Sequence, residues 1–228
     1  MIAPILIVLA AVVEPANGST SQPFVVGERA KLFRSEDLAE IKSIATKPNP
    51  IWLISVIQMP LVDPPNLYAT VYYVPRVATP SLRRGWTERF YQDKSSDELG
   101  HVWHELGDLD EWAQVASHDR PYPKKLKKPK ASDTPFAVSG EMSDADLVSI
   151  VSFVRSSPKR ADRKNADGSI RRIYVSEVEG SIPIGNITAK GDCYFVVSTE
   201  RSPGAGQQIE IIRTDSGWEV YDVQEWNT

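Results

Sequence analysis

Two stretches of the chain carry apolar residues at helical spacing. In Ser35–Ala45 the stripe is Leu38, Ile41, Ile44 and Ala45; in Ser143–Val154 it is Leu147, Ile150, Val151 and Val154. Ser35 is a candidate N-cap, with Glu36 and Asp37 suited to the positive end of the helix. Ser143 with Asp146 approximates a capping box. Pro48 and Pro158 end the two helices. After each helix the period shortens to that of strands. Ile51–Met59, Leu67–Val74 and Gly85–Gln92 follow the first helix; Ile170–Val178, Asp192–Thr199 and Gln207–Arg213 follow the second. All are rich in β-branched and aromatic residues. Thr214–Gly217 reads as a hairpin turn.

Each series closes on an acidic stretch bounded by tryptophan, WHELGDLDEW (Trp103–Trp112) and WEVYDVQEW (Trp218–Trp226). Aligned without gaps, Glu105–Trp112 and Glu219–Trp226 agree at four of eight positions, which points to an internal duplication. Trp218 and Trp226 are eight apart, so a regular strand puts them on one face, with Asp222 between them on that face. Trp103 and Trp112 are nine apart, and a β-bulge at Gly107 would return them to one face. A helix over Leu99, Val102, Leu106, Leu109 and Ala113 is the rival for this stretch; Gly100 and Gly107 count against it.

The expected fold is therefore α+β: two tandem similar units, each a short helix packed on an antiparallel sheet of about four strands. In element order alone this resembles the cystatin-like and NTF2-like folds. The expected organisation is a signal peptide over 1–18, a first unit over 24–118, a Pro/Lys-rich linker over 119–138 and a second unit over 139–228. In Pro121–Pro135 four prolines and five lysines resist both helix and inner strand. Ile2–Val13 is an apolar run of signal-peptide length, with Ala16-Asn17-Gly18 as a small-residue cleavage site after it. Export to the periplasm or the extracellular space follows as an expectation. No later run approaches the length of a membrane span.

Composition narrows the chemistry. With 228 residues, 41% hydrophobic and 25% charged, the chain is ordinary for a globular protein. The net charge of −4 gives no general affinity for nucleic acid. Against that acidic background, Lys124, Lys125, Lys127, Lys128 and Lys130 form a local basic run that suits peripheral contact with an anionic surface. The lone Cys193 excludes an intramolecular disulfide and the usual cysteine zinc sites. Its setting in DCYFVVS suggests a buried thiol. No P-loop, zincin or nucleophile-elbow motif occurs.

The candidate binding residues are Trp112 and Trp226 with Asp108 and Asp222, rings beside carboxylates that suit a cation or a sugar hydroxyl. No catalytic residue, metal site or cofactor is assigned. The expected role is a non-enzymatic binding or assembly module whose partner is a protein or a small polar ligand. The alternative is a hydrolase or metal-dependent enzyme with its site near His101–His118, where all three histidines fall.

Overall fold

The computed structural model describes residues 22–47, 49–58, 67–93, 102–107, 109–117, 120–130, 133–156, 161–164, 168–173, 184–202 and 205–227. The expected signal segment, Pro48, His101, Asp108, His118 and Pro158 lie outside them. The first half contains β1 (Phe24–Val26), α1 (Ser35–Ile44), β2 (Ile51–Gln58), β3 (Leu67–Tyr73), β4 (Val77–Ala78), β5 (Leu82–Asp93), β6 (Val102–Glu105) and β7 (Asp110–Val115). The second contains β8 (Phe136–Ser139), α2 (Asp144–Ser156), β9 (Ala161–Lys164), β10 (Ile170–Ile173), β11 (Ile184–Ala189), β12 (Tyr194–Ser202), β13 (Ala205–Thr214) and β14 (Gly217–Asn227).

Two tandem helix-on-sheet units do not form. The structure is one mixed sheet of twelve strands, ordered β1-β2-β3-β5-β7-β8-β11-β12-β13-β14, with β4 and β6 also paired to β5. The fusion is made by β7 and β8, through Glu111↔Val138, Trp112↔Ala137 and Ala113↔Phe136. Phe136–Ser139 stands at the end of the Pro/Lys-rich stretch, and its four residues alternate buried and half-buried as a strand does. The antiparallel meander expected for each unit is also corrected. β1 lies parallel to β2 and β8 parallel to β11, each pair joined through a helix. The described part of the run Ile170–Val178, β10, stands outside this sheet and pairs with β9.

The helices form where the apolar spacing placed them. Ser143 Oγ accepts the Asp146 backbone N–H at 3.1 Å, as a cap should. At α1 the cap differs: Ser35 is already helical, and the Asp37 carboxylate accepts the Arg34 N–H at 2.7 Å. Both helices cover the same face of the sheet. Leu82, Trp86 and Phe90 alternate onto one face of β5; Leu82 packs in the α2 core, while Trp86 and Phe90 pack in the α1 core. A third cluster, around Trp52, Leu53 and Trp112, completes the interior.

The pairing pattern of the first half recurs in the second, position by position. Phe24↔Leu53 and Val25↔Ile54 correspond to Ala137↔Asn186 and Val138↔Ile187. Gly27 and Gly140 follow the two parallel strands with φ of +100° and +81°. A side chain at Gly27 would strike the Val56 backbone, and one at Gly140 would meet the Ala189 carbonyl at 2.9 Å. β2 shifts register between Ile51 and Leu53, at Trp52, and β11 shifts between Ile184 and Asn186, at Gly185. Gly85 pairs with Trp112, and Gly206 pairs with Trp226.

The two Trp-bounded stretches obey the same rule. Trp103 pairs with Gln92 and Trp112 with Gly85; Trp218 pairs with Arg213 and Trp226 with Gly206. The partner strand advances seven residues in each case, so the leading and trailing rings point to opposite faces. The first stretch loses two residues between β6 and β7, and the second loses Tyr221 to a bulge between Val220 and Asp222. The expectation that Trp218, Asp222 and Trp226 share a face fails on that bulge, which reverses the alternation. Both leading rings face a helix. Trp103 Nε1 donates to Asp37 Oδ1 at 3.0 Å, and Trp218 Nε1 donates to Ser149 Oγ at 2.7 Å.

Candidate ligand groove on the second half of the sheet

The sheet face opposite the helices is filled in one half and open in the other. In the first half Trp112 is fully buried above Gly85. Trp52 lies tilted against it at 5.2 Å between centroids, and Tyr72 meets it edge-on at 6.2 Å. Burial pushes the Tyr72 phenol up to about 12. The Pro/Lys-rich segment then closes this face as a strap. Its Tyr122 N–H donates to the Pro80 carbonyl at 2.8 Å, and Arg83 Nη2 donates to the Pro123 carbonyl at 2.5 Å. The Arg83 guanidinium lies 4.4 Å from the Tyr122 ring centroid. Leu126 packs on the cluster that holds Trp112, while Lys124, Lys125, Lys127, Lys128 and Lys130 point outward and are exposed. The basic run is therefore the outer surface of a pinned strap.

In the second half the filling rings are missing. The register places Gly185 where Trp52 stands and Ser198 where Tyr72 stands, with Asn186 in place of Leu53. A groove of about 490 Å³ results, within the ~300–1,000 Å³ range of small-molecule sites. Asn186 and Thr188 line it from β11, Tyr194, Val196 and Ser198 from β12, Gln208 and Glu210 from β13, with Lys190 at one end. Gly185 is not there for backbone reasons: a Cβ at this position would have only the Ser198 carbonyl near it, at 3.8 Å. Gly206 differs, since a Cβ there would strike the Thr199 carbonyl and the Trp226 ring.

The groups in the groove are arranged in a network. Asn186 Nδ2 donates to Thr188 Oγ1 at 3.2 Å. Tyr194 donates its hydroxyl to Glu210 Oε2 at 2.5 Å. Burial, that hydrogen bond and the charges of Glu210 and Asp222 push the Tyr194 phenol up to about 12. Tyr221, at the bulge, stands edge-on to Tyr194 at 6.2 Å and is 45% exposed. Asp222 lies directly opposite Glu210 on this face.

The residues named from sequence fare differently. Trp226 lies half-buried on the open face, above Gly206 and two residues along β14 from Gln224, which pairs with Gln208. Asp222 shares that face. Trp112 is sealed inside and offers no surface, and Asp108 is outside the described residues. Asn186, Ser198, Gln208 and Glu210 were missed. Their signal was partial: polar residues alternate at Asn186 and Thr188 and at Gln208 and Glu210, while Val196 interrupts the alternation between Tyr194 and Ser198. Of the histidines only His104 is described; it is exposed and stacked on Tyr91 at 5.1 Å. Among the described residues no three His, Cys, Asp or Glu side chains gather as metal ligands. Cys193 is exposed, contrary to its apolar sequence setting, because it precedes β12 in the turn after β11.

A larger depression, about 710 Å³, runs beside α2 and is bordered by Val148, Phe153 and Trp218. It is shallow, and the indole N–H at its rim is already spent on Ser149. The sheet groove, with polar groups converging from three strands, is the better site. No known protein family matches the chain, and neither curated proteins nor solved structures give a match.

Proposed function

We propose that the protein is a binding module built by duplication within a single sheet, and that the open face of its second half receives a small polar ligand. The observation that carries this reading is the exchange of Trp52 for Gly185 at matching bulges. One half fills the space beside its trailing tryptophan from within, and the other leaves it open among hydrogen-bonding groups. Support for duplication is the recurrence of parallel pairs, positive-φ glycines, bulges and Gly–Trp pairs at matching positions. Thermal-shift screening against a panel of polar metabolites tests the groove. A ligand that stabilises the wild-type protein but not Gly185→Trp is the expected result. A ligand equally effective on both would place binding elsewhere.

The protein is also read as exported, on the strength of the Ile2–Val13 run. Mass spectrometry of the protein from its native host should find an N-terminus after Gly18. An intact N-terminus in the cytosolic fraction would refute export. Among the described residues no helix is long and apolar enough to cross a membrane.

A further inference from the structure

We infer that the groove takes a pyranose sugar that carries no carboxylate of its own. This rests on the groove being a ligand site. The filled half shows what shape fits beside the trailing tryptophan: two flat rings, Trp52 tilted on Trp112 and Tyr72 edge-on to it. In the open half the register puts Gly185 and Ser198 where those rings stand; Val196 gives the groove its apolar floor, and Trp226 stands next along the same face, above Gly206. An aromatic ligand would fill that space but would strand the polar lining. Asn186, Ser198 and Gln208 each require hydrogen-bond partners when water is displaced, and each offers donors and acceptors. A pyranose ring satisfies both demands, with C–H groups along its faces and hydroxyls around its edge.

The dimensions agree. Trp226, Gln208 and Glu210 follow one face of the sheet, and alternate residues of a strand are about 7 Å apart. A ring seated over the Ser198–Gln208 pair thus has the indole on one side and the Glu210 carboxylate on the other. Glu210 accepts from hydroxyls, as it already does from Tyr194. With Asp222 opposite, it sets two carboxylates against the single positive charge of Lys190, and the excess negative charge disfavours a uronate and admits a neutral or amino sugar.

The test is isothermal titration calorimetry of the full chain with three matched oligosaccharides: a neutral glucan fragment, its glucosamine counterpart and its glucuronate counterpart. The neutral or the amino sugar should bind, and the uronate should bind about tenfold more weakly or not at all. Gln208→Ala should weaken binding about tenfold with the melt unchanged, because a buried hydrogen bond to a ligand hydroxyl is lost. Gly185→Trp should abolish it, and Ser198→Tyr supplies a second filling variant if Gly185→Trp misfolds. Equal binding of the uronate would overturn the inference, as would sugar binding that survives the filling variants. If no sugar binds but another polar ligand is lost on Gly185→Trp, the sugar assignment falls and the groove stands. If nothing in either panel responds to the filling variants, both fall.

Discussion

Trp112→Ala and Trp226→Ala exchange the same residue at matching positions, and the structure requires different outcomes. The Trp112 ring is fully buried among Trp52, Tyr72 and the strap. A buried indole covers roughly 200 Å² of apolar surface, worth about 5 kcal/mol at ~25 cal/mol per Å². One term opposes this. Trp112 Nε1 is buried without a hydrogen-bond partner, and removing it relieves a cost of about 1–3 kcal/mol. Trp112→Ala should therefore destabilise by about 3 kcal/mol, a large share of the ~5–15 kcal/mol typical of a folded domain. Trp226 is only half-buried, so its loss removes roughly half the area, about 2.5 kcal/mol, and costs less than about 1.5 kcal/mol after the same correction for its own unpartnered Nε1. Urea unfolding followed by circular dichroism reads the difference as a shift in midpoint at constant slope. Trp112→Ala should also loosen the strap, whose Leu126 loses its floor, so trypsin should cut at Lys124–Lys130 in the variant well before the wild type. Equal midpoints for the two variants, or a Trp112→Ala cost under about 1 kcal/mol, would refute the assignment of a sealed face and an open one.

Trp103→Phe should cost about 1–3 kcal/mol in the same urea assay, because it removes the indole N–H from Asp37, a carboxylate only 2% exposed that also accepts from Gln92 at 3.2 Å. Alkaline pH should weaken the fold. Tyr72 has a native pKa raised from 10.0 to about 12, so its contribution is fully present below pH 10 and is lost as the unfolded chain ionises first, between about pH 10 and 12. The two-unit shift corresponds to about 2–3 kcal/mol; phenolate absorbance against pH should show part of the tyrosine titrating late, and stability unchanged from pH 9 to 12 would contradict it. Cys193, being exposed, should react with a thiol reagent in the folded protein as fast as in urea, and strong native-state protection would show that its turn is covered.

Sequence reasoning succeeded where a pattern is long and local. The 3.6-residue stripes located both helices, and the paired Trp stretches drew attention to strand endings that do correspond. It failed where the answer depends on parity or on short segments. Which face a Trp occupies changes with each unpaired residue: Gly107 marks the break between β6 and β7 but not that two residues drop out there, and the bulge at Tyr221 carries no such mark. The fusion into one sheet hangs on three pairs between β7 and the four-residue β8. Such a segment is too short for alternation to stand out beside a Pro- and Lys-rich stretch. β11 was overlooked because Ile184–Ala189 holds a glycine and two polar residues that face a groove instead of a core.

That oversight bears on function. A sheet face evolving for stability alone gains by filling its spaces, and Trp52, Tyr72 and Leu126 show the fill that this architecture accepts. Gly185 accepts a side chain without backbone conflict, and Ser198 stands where a tyrosine fits. An open face at these positions forgoes several kcal/mol of available burial. Local rules that a sequence breaks without structural need mark the places where something other than folding is served. The strand least recognisable as a strand is thus the one that borders the open groove.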